Sequence, residues 1–185
     1  MNNIIIGIDP SLNSTGICIN NSKNNIYYII PSKMTKKMSN FKHKRVHFLP
    51  YEKQDIKGLE YKDKEYAKTN NVYNICQNIK TVIKKHKPSM VIMEGVSYGS
   101  TGSAALVDLS GLQFAIRMIL IDMKVPFVIA SPTSVKKFAV ANGQAEKDIM
   151  IDAWKRLDKE MNDITEIKID DLADAYFLAH YNFNS

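Results

Sequence analysis

Cysteine and histidine are scarce in this sequence, which has two cysteines and four histidines in 185 residues. Cys18 and Cys76 lie far apart and form no C-x-x-C pattern, which argues against a zinc site or a disulfide framework. We expect both to be packed, reduced thiols. The sequence also has no convincing Ser-His-Asp arrangement, so a mechanism that needs a nucleophilic side chain is not indicated.

A secretion signal and long uninterrupted hydrophobic runs are also missing. The N-terminus lacks a basic region ahead of an apolar core and a small-residue cleavage site, so we expect the protein to stay in the compartment where it is made. The longest apolar-rich stretch, AALVDLSGLQFAIRMILIDM, carries Asp108, Arg117 and Asp122. We therefore interpret it as a buried helix and expect no membrane span.

The composition is that of a globular protein, with 45% hydrophobic and 24% charged residues. We expect a single domain over residues 1–185, since domains commonly run about 100–200 residues. Acidic residues are few in the first half: residues 1–90 hold 16 Lys and Arg against 6 Asp and Glu, whereas residues 91–185 hold 9 against 13. A basic half suggests a polyanionic partner such as nucleic acid, although a solvated lysine-rich surface would suit the composition equally well.

Hydrophobic patterning predicts a mixed α/β fold. Three extended segments (NNIIIGID, TGICIN and NNIYYIIP) have short polar links, so we expect an antiparallel meander. A basic insertion at about 32–65 follows, and residues 32–50, which include no acidic residue, are interpreted as a basic loop or irregular insertion. The remaining elements are, in order, a helix from about Tyr66 to His86, the strand SMVIME, a loop, the long helix, the strand VPFVIAS, the loop PTSVKKFAVANGQ, and helices at about 145–161 and in DDLADAYFLAHY. The prediction is a mixed five-stranded sheet, three antiparallel strands and then parallel strands, flanked by helices.

Two carboxylates each stand where an apolar strand gives way to a loop. They are Asp9, in GIDP, and Glu94, in VIMEG. Strand ends with glycine-containing loops are where open α/β sheets build their sites. A turn-forming Asp-Pro pair would explain Asp9 equally well. Glu94 follows three apolar residues and must be either solvated at the sheet edge or paired, so a functional role is favoured there.

Two further carboxylates lie in the last predicted helix. Asp171 and Asp174 are three residues apart and therefore share a helical face. Asp170 and Asp171 could instead cap the helix and complement its dipole, but capping explains Asp174 in the second turn less well. Four carboxylates converging from two strand ends and one helix form a ligand set for hard divalent cations. Such ions support phosphodiester hydrolysis without a nucleophilic side chain.

Four motifs, GIDPSLNSTG, VIMEG, SPTSVKKFAVANGQAEKD and DDLADA, occur in this order along the chain. In order and context they resemble those of the RuvC-like Holliday junction resolvases of the RNase H-like superfamily. The resemblance covers residues 4–20 and about 88–181, and residues 21–72 have no counterpart. It implies an RNase H-like fold and a homodimeric, metal-dependent endonuclease. Such an enzyme resolves four-way (Holliday) or other branched DNA junctions by paired phosphodiester hydrolysis.

The resemblance also implies roles for particular residues. Asp9, Glu94, Asp171 and Asp174 would be catalytic and would hold two Mg²⁺ ions, with Mn²⁺ able to substitute; some relatives have a histidine at the position of Asp171. DNA contacts are implied for Tyr98, Ser100, Lys136, Lys137, Gly143 and Lys147. Tyr98 could equally be a partly buried loop residue, and the paired lysines could simply be solvated. Compact, Lys- and Asn-rich relatives occur in viruses of bacteria, so we expect a cytoplasmic protein of a bacterial cell or a virus-infected bacterial cell.

Two other functions are alternatives to a branched-DNA endonuclease. An ATPase of the actin and sugar-kinase type also has an opening strand that delivers an aspartate into a polar turn. It needs a second subdomain with its own phosphate loop, and this chain is too short for one and has no repeat of the motif. A non-cleaving junction-binding protein of the same fold would be expected to lose acidic residues, yet all four positions carry them.

Overall fold

The computed structural model describes residues 3–96, 103–162, 164, 167 and 169–182. Its centre is a six-stranded sheet with the spatial order β4-β3-β2-β1-β5-β6. The strands are β1 (Ile5–Asp9), β2 (Ser14–Asn20), β3 (Asn25–Pro31), β4 (Val46–Phe48), β5 (Met90–Glu94) and β6 (Phe127–Ala130). The helices are α1 (Lys36–Asn40), α2 (Tyr61–His86), α3 (Ser103–Asp122), α4 (Pro132–Val140), α5 (Lys147–Leu157) and α6 (Ile169–His180), with a 3-10 turn at Lys159–Met161.

The order of the strands places two of the predicted carboxylates side by side. β1, β2 and β3 form the expected antiparallel meander. β5 pairs with β1 in parallel, and β6 pairs with β5 in parallel. Because Ile8 is opposite Met93 in the parallel pair, the next residues, Asp9 and Glu94, end their strands next to each other. We call this edge the carboxylate end of the sheet.

Each face of the sheet has its own hydrophobic core. α2 and α3 pack together on one face, where Ile79 is among the buried side chains. α4, α5 and α6 cover the other face around the fully buried Trp154. Cys18 and Cys76 are free and buried, one in each core, which confirms that they are packed thiols.

α6 lies directly on β1 and β2 because both strands have a glycine beneath it. A Cβ atom at Gly7 would lie 2.2 Å from the backbone oxygen of Ala175, and one at Gly16 would lie 2.1 Å from that of Asp171. A side chain at either position would therefore push the helix away from the sheet. The two glycines set how closely the carboxylates of α6 approach the end of β1.

The prediction of five strands was wrong, because the basic insertion contributes a sixth. Its residues Val46–Phe48 pair with β3 in parallel as an edge strand. Lys36–Asn40 form the short helix α1, whose N-cap is Thr35. Elements of three and five residues are too short for hydrophobic periodicity to reveal them. The segment 32–50 is therefore not simply a loop.

Three helix boundaries also differ from those predicted. α2 begins at Tyr61, about five residues early, because its first turns are polar and carry no apolar period. The segment predicted as the loop PTSVKKFAVANGQ begins with nine helical residues, α4, with Ser131 as the N-cap and Pro132 in the first turn. The helix expected over 145–161 is α5, which ends at Leu157 and is followed by the 3-10 turn.

α3 is buried on one side only. The prediction of a buried helix was therefore right for its inner side and wrong for its outer side. Leu112, Ile116 and Leu120 are fully buried, whereas the opposite side exposes Phe114 and Met118. By length and composition alone, residues 104–122 could cross a membrane. Their inner side nevertheless packs in the same core as α2.

Candidate active site

The two strand-end carboxylates are in contact at the carboxylate end. Asp9 and Glu94 share a side-chain hydrogen bond. Burial, followed by the charges of Glu94, Asp174 and Asp171, raises the pKa of Asp9 well above its usual value. Burial also raises the pKa of Glu94, while the hydrogen bond with Asp9 lowers it. Asp9 is therefore the group that keeps the proton and donates it to Glu94.

α6 brings the second pair of carboxylates to the same place. The charges of Asp171 and Asp174 both act on Asp9. Burial, and then the charge of Glu94, raises the pKa of Asp174 to about 7. The four predicted carboxylates thus form one electrostatically coupled group in which each negative charge disfavours the others.

Ser14, which is not among the predicted site residues, is bonded to this group. It begins β2 and is buried, with 4% of its surface exposed. Its hydroxyl donates a hydrogen bond to Asp171 Oδ2. Serine in a turn-rich stretch is typical of turns, so nothing in the sequence pattern separates Ser14 from its neighbours in PSLNST.

Two of the three predicted lysines lie near the carboxylates. The positive charge of Lys136 lowers the pKa of Glu94, and the charges of Lys147 and Lys136 lower that of Asp174. Lys147 is the first residue of α5 and forms an ion pair with Asp170, with 2.9 Å between Nζ and Oδ2. Positive charge therefore flanks the group on the side of α4 and α5.

The other predicted DNA-contacting residues have no described contact with the carboxylates. Lys137 is exposed on α4. Gly143 packs against α4, since a Cβ atom there would lie 2.6 Å from Thr133 Cγ2. This close approach is a sufficient structural reason for a glycine at 143. Tyr98 and Ser100 lie outside the described residues.

The basic insertion holds the turn that follows the first carboxylate. Tyr51 Oη donates a hydrogen bond to Leu12 O at 2.8 Å, and Lys53 Nζ donates one to Asn13 Oδ1 at 2.8 Å. The backbone N–H of Ser32 donates to Asn13 O at 2.9 Å. These contacts join residues distant in sequence, so spacing alone could not have predicted them. The insertion is therefore part of the surroundings of the candidate site.

The donor chemistry fits a divalent cation. Carboxylate oxygens are the ligands that Mg²⁺ and Mn²⁺ prefer. Burial and then neighbouring negative charge raise the pKa values of Asp9 and Asp174, and a cation would neutralise that charge. Within the part of the chain that is described, no three Asp, Glu, His or Cys side chains are close enough to enclose an ion as they stand. Charge acts over several ångströms, whereas coordination needs oxygens at about 2.0–2.6 Å. Cation binding would thus have to replace the Asp9–Glu94 hydrogen bond.

Comparison with known proteins identifies relatives of the chain. The family model for "Crossover junction endodeoxyribonuclease RuvC" matches residues 55–180. A protein of the same description from Synechococcus sp. (strain CC9311) is 27% identical over 123 residues, which are 66% of this chain and 73% of that protein. The family-model match includes Glu94, Asp171 and Asp174 and begins after Asp9. It also covers residues 55–72, so the expectation that residues 21–72 have no counterpart was wrong for that part.

Solved structures have the same fold. The structure of T. thermophilus RuvC in complex with a Holliday junction substrate matches with a TM-score of 0.62 at 13% identity, over 96% of this chain and 90% of that chain. The yeast mitochondrial Holliday junction resolvase matches with a TM-score of 0.57 at 15% identity, over 96% of this chain and 76% of that chain. These similarities confirm the predicted RNase H-like α/β fold.

Proposed function

The chain belongs to the crossover junction endodeoxyribonuclease RuvC family, and we propose that it resolves four-way DNA junctions with Asp9, Glu94, Asp171 and Asp174. Members of this family are structure-selective endonucleases, and membership therefore favours a nuclease over the ATPase alternative. The residue assignment is supported by the electrostatic coupling of four carboxylates that come from β1, β5 and α6.

Divalent-metal dependence is a property of the family, and we propose two Mg²⁺ ions, replaceable by Mn²⁺, held by the four carboxylates. Such ions activate a water molecule and stabilise the leaving oxygen of the phosphodiester. Asp9 must lose its proton to serve as a ligand, and Glu94 must give up its hydrogen bond with Asp9. Ser14 orients Asp171 through the hydrogen bond to Oδ2.

Lys136 and Lys147 supply positive charge on one side of the candidate site. Their charges already offset part of the carboxylate repulsion, because they lower the pKa of Asp174. An ammonium group positioned this way can contact the phosphates on either side of the bond that is cut. We therefore assign both lysines to substrate positioning and not to proton transfer.

A four-way junction has two strands to cut symmetrically, so we propose a homodimer with one site for each strand. The outer side of α3 is the surface that fits a second copy. Phe114, Met118 and Ile121 on this side are 60%, 66% and 64% exposed, and their spacing of four and three residues puts them on one face. A contiguous apolar surface of this kind marks an interaction site.

The dimer is tested by placing charge on that surface. Phe114→Glu with Met118→Lys should convert the protein from dimer to monomer in sedimentation equilibrium and should replace paired cuts by single nicks. Leu157→Lys is a matched control, because Leu157 is 63% exposed but lies at the end of α5. A wild-type protein that is monomeric at micromolar concentration and still makes paired cuts would contradict the dimer.

The activity is tested on labelled four-way junctions and on linear duplexes of the same sequence, with Mg²⁺, with Mn²⁺ and with EDTA. We expect paired cuts near the branch point with either metal, none with EDTA, and little cleavage of the linear duplex. Tight junction binding without cleavage in either metal would instead support the non-cleaving junction-binding protein. Cleavage of junction and duplex at equal rates would contradict selectivity for branched DNA.

A further inference from the structure

Exposed lysines between β3 and β4 form a second positively charged surface beside the candidate site. We propose that Lys33, Lys36, Lys37 and Lys42 bind the phosphate backbone of a duplex arm of the junction. We call their segment, residues 32–45, the basic crossover. The proposal rests on the proposed function, since it adds a substrate-binding surface to the same endonuclease.

The basic crossover starts at the carboxylate end of the sheet. The N–H of Ser32 donates to Asn13 O, in the turn after β1, at 2.9 Å. The segment ends near the start of β3, where the N–H of Tyr27 donates to Arg45 O at 2.7 Å. It therefore runs alongside β3 from Ser32 back to Tyr27, a distance of five residues or roughly 17 Å at 3.3 Å per residue. Since duplex DNA places a phosphate about every 3.4 Å along each strand, this length can follow several phosphates.

The basic crossover is packed onto the fold and does not hang free. Met38 is buried, and the ring of Phe41 packs edge-to-face on that of Phe48, with 6.1 Å between centroids. At its end, the buried Arg45 forms an ion pair with Asp158 at 2.5 Å. Three anchored side chains thus fix the backbone that carries the lysines, which lowers the entropic cost of binding a ligand there.

The lysines of the basic crossover have little opposing charge around them. Residues 32–50 include no Asp or Glu, and Lys33, Lys36, Lys37 and Lys42 are all exposed. None of the four takes part in an ion pair with another described residue, whereas the adjacent Lys44 pairs with Glu160 at 3.2 Å. Like charges fixed on one surface repel each other, and a polyanion that replaces their counterions relieves this repulsion.

Duplex DNA is the polyanion that fits this position. The first residue of the basic crossover, Ser32, is bonded to Asn13 in the turn after Asp9, so a duplex arm that leaves the candidate site at this point passes along the crossover. The segment also precedes residue 55, where the match to the family model begins. The surface is therefore outside the portion of the chain that the family model describes.

The test compares two variants with the same loss of charge. The first carries Lys33→Gln, Lys36→Gln, Lys37→Gln and Lys42→Gln. The control carries Lys23→Gln, Lys84→Gln, Lys87→Gln and Lys124→Gln, four exposed lysines at the end of the sheet opposite the carboxylates. Kd for a four-way junction is measured in EDTA at several NaCl concentrations, and circular dichroism establishes that both variants are folded. The double variant Lys36→Gln with Lys37→Gln replaces the first variant if that one does not fold.

We expect the crossover variant to bind the junction at least about tenfold more weakly than the control and to have a smaller salt dependence. Each lost phosphate contact lowers the slope of log Kd against log salt concentration by about 0.9, so the four substitutions should lower it by about 2–4. Equal affinity and equal slope for the two variants would overturn the proposal. The same result is expected if the surface binds an acidic protein and not DNA. A wild-type protein that neither binds nor cuts junctions would overturn the proposed function itself.

Discussion

Asp9 and Glu94 end adjacent parallel strands and share one hydrogen bond, in which Asp9 holds the proton. A metal ion needs deprotonated carboxylates, so its binding must release this proton. We predict that Mg²⁺ binding near pH 7 releases protons, from Asp9 and from the protonated fraction of Asp174, whose pKa is about 7. Calorimetric titration in two buffers of different ionisation enthalpy measures the release. It should be smaller in Asp9→Asn, where only the protonated fraction of Asp174 remains to be displaced, and heats that do not depend on the buffer would contradict this prediction.

Asp174 should destabilise the metal-free protein at neutral and alkaline pH. Its pKa is raised from 3.8 to about 7 in the folded protein. The contribution of protonated Asp174 to the free energy of unfolding is therefore complete below about pH 4 and is lost as the pH rises through about 7. Asp174→Asn mimics the protonated form. In EDTA at pH 8 it should raise Tm by about 2–4 °C for each kcal/mol of repulsion removed, and the gain should vanish near pH 4.

Asp170→Asn is the matched control for that measurement, because Asp170 is adjacent in space but is paired with Lys147. Its removal should leave Tm unchanged or slightly lower. If Asp174→Asn gave no gain in Tm at pH 8, or the same gain at pH 4, the electrostatic account of the site would fail.

Ser14 should affect activity through the metal ligands. Ser14→Ala removes the hydrogen bond to Asp171 Oδ2, and loss of such a partner typically lowers metal affinity or activity about 10–100-fold. We expect slower junction cleavage at limiting Mg²⁺, with part of the rate recovered at high Mg²⁺. Thr81→Ala, which removes an exposed hydroxyl from α2, is the control. An unchanged dependence on Mg²⁺ would exclude this role.

The predictable part of the site came from residues with a clear local pattern. Asp9 and Glu94 follow strongly apolar strands, and Asp171 and Asp174 lie in a helix with an apolar side. Periodicity therefore placed all four on the correct elements. What it could not predict was Ser14, because its partner Asp171 is 157 residues away.

The basic insertion shows why the rest of the fold was missed. β4 has only three residues, and the contacts that order its surroundings are tertiary. Arg45 is the clearest case, since an arginine in a lysine-rich stretch is expected to be solvated, yet it is buried with Asp158. Tyr27 and Asn25 donate further hydrogen bonds to the same carboxylate. A local pattern carries no information about such a partner.

The pair of Arg45 and Asp158 should therefore be a main support of the insertion. Arg45→Met leaves a buried carboxylate without its cation, which typically costs about 3–5 kcal/mol. Lys44→Met is the control, because Lys44 is 77% exposed in its pair with Glu160 and such pairs contribute about 0–1 kcal/mol. Urea unfolding measures both free energies. A loss of under about 1 kcal/mol for Arg45→Met would contradict the structural role.

We propose that the four carboxylates at the end of β1, the end of β5 and on α6 perform metal-dependent junction cleavage. The most direct measurement is the single-turnover cleavage rate of a four-way junction in Mg²⁺, together with junction Kd in EDTA, for wild type, Asp9→Asn, Glu94→Gln and Asp174→Asn. We predict that each variant binds the junction at least as tightly as wild type and cleaves it more than about 100-fold more slowly. Loss of a residue that only hydrogen-bonds to a metal ligand costs up to about 100-fold, and loss of the ligand itself should cost more. If any one of the three variants cleaved within about tenfold of the wild-type rate, the assignment of that residue would be contradicted. If all three did so, the assignment of the whole site would be contradicted.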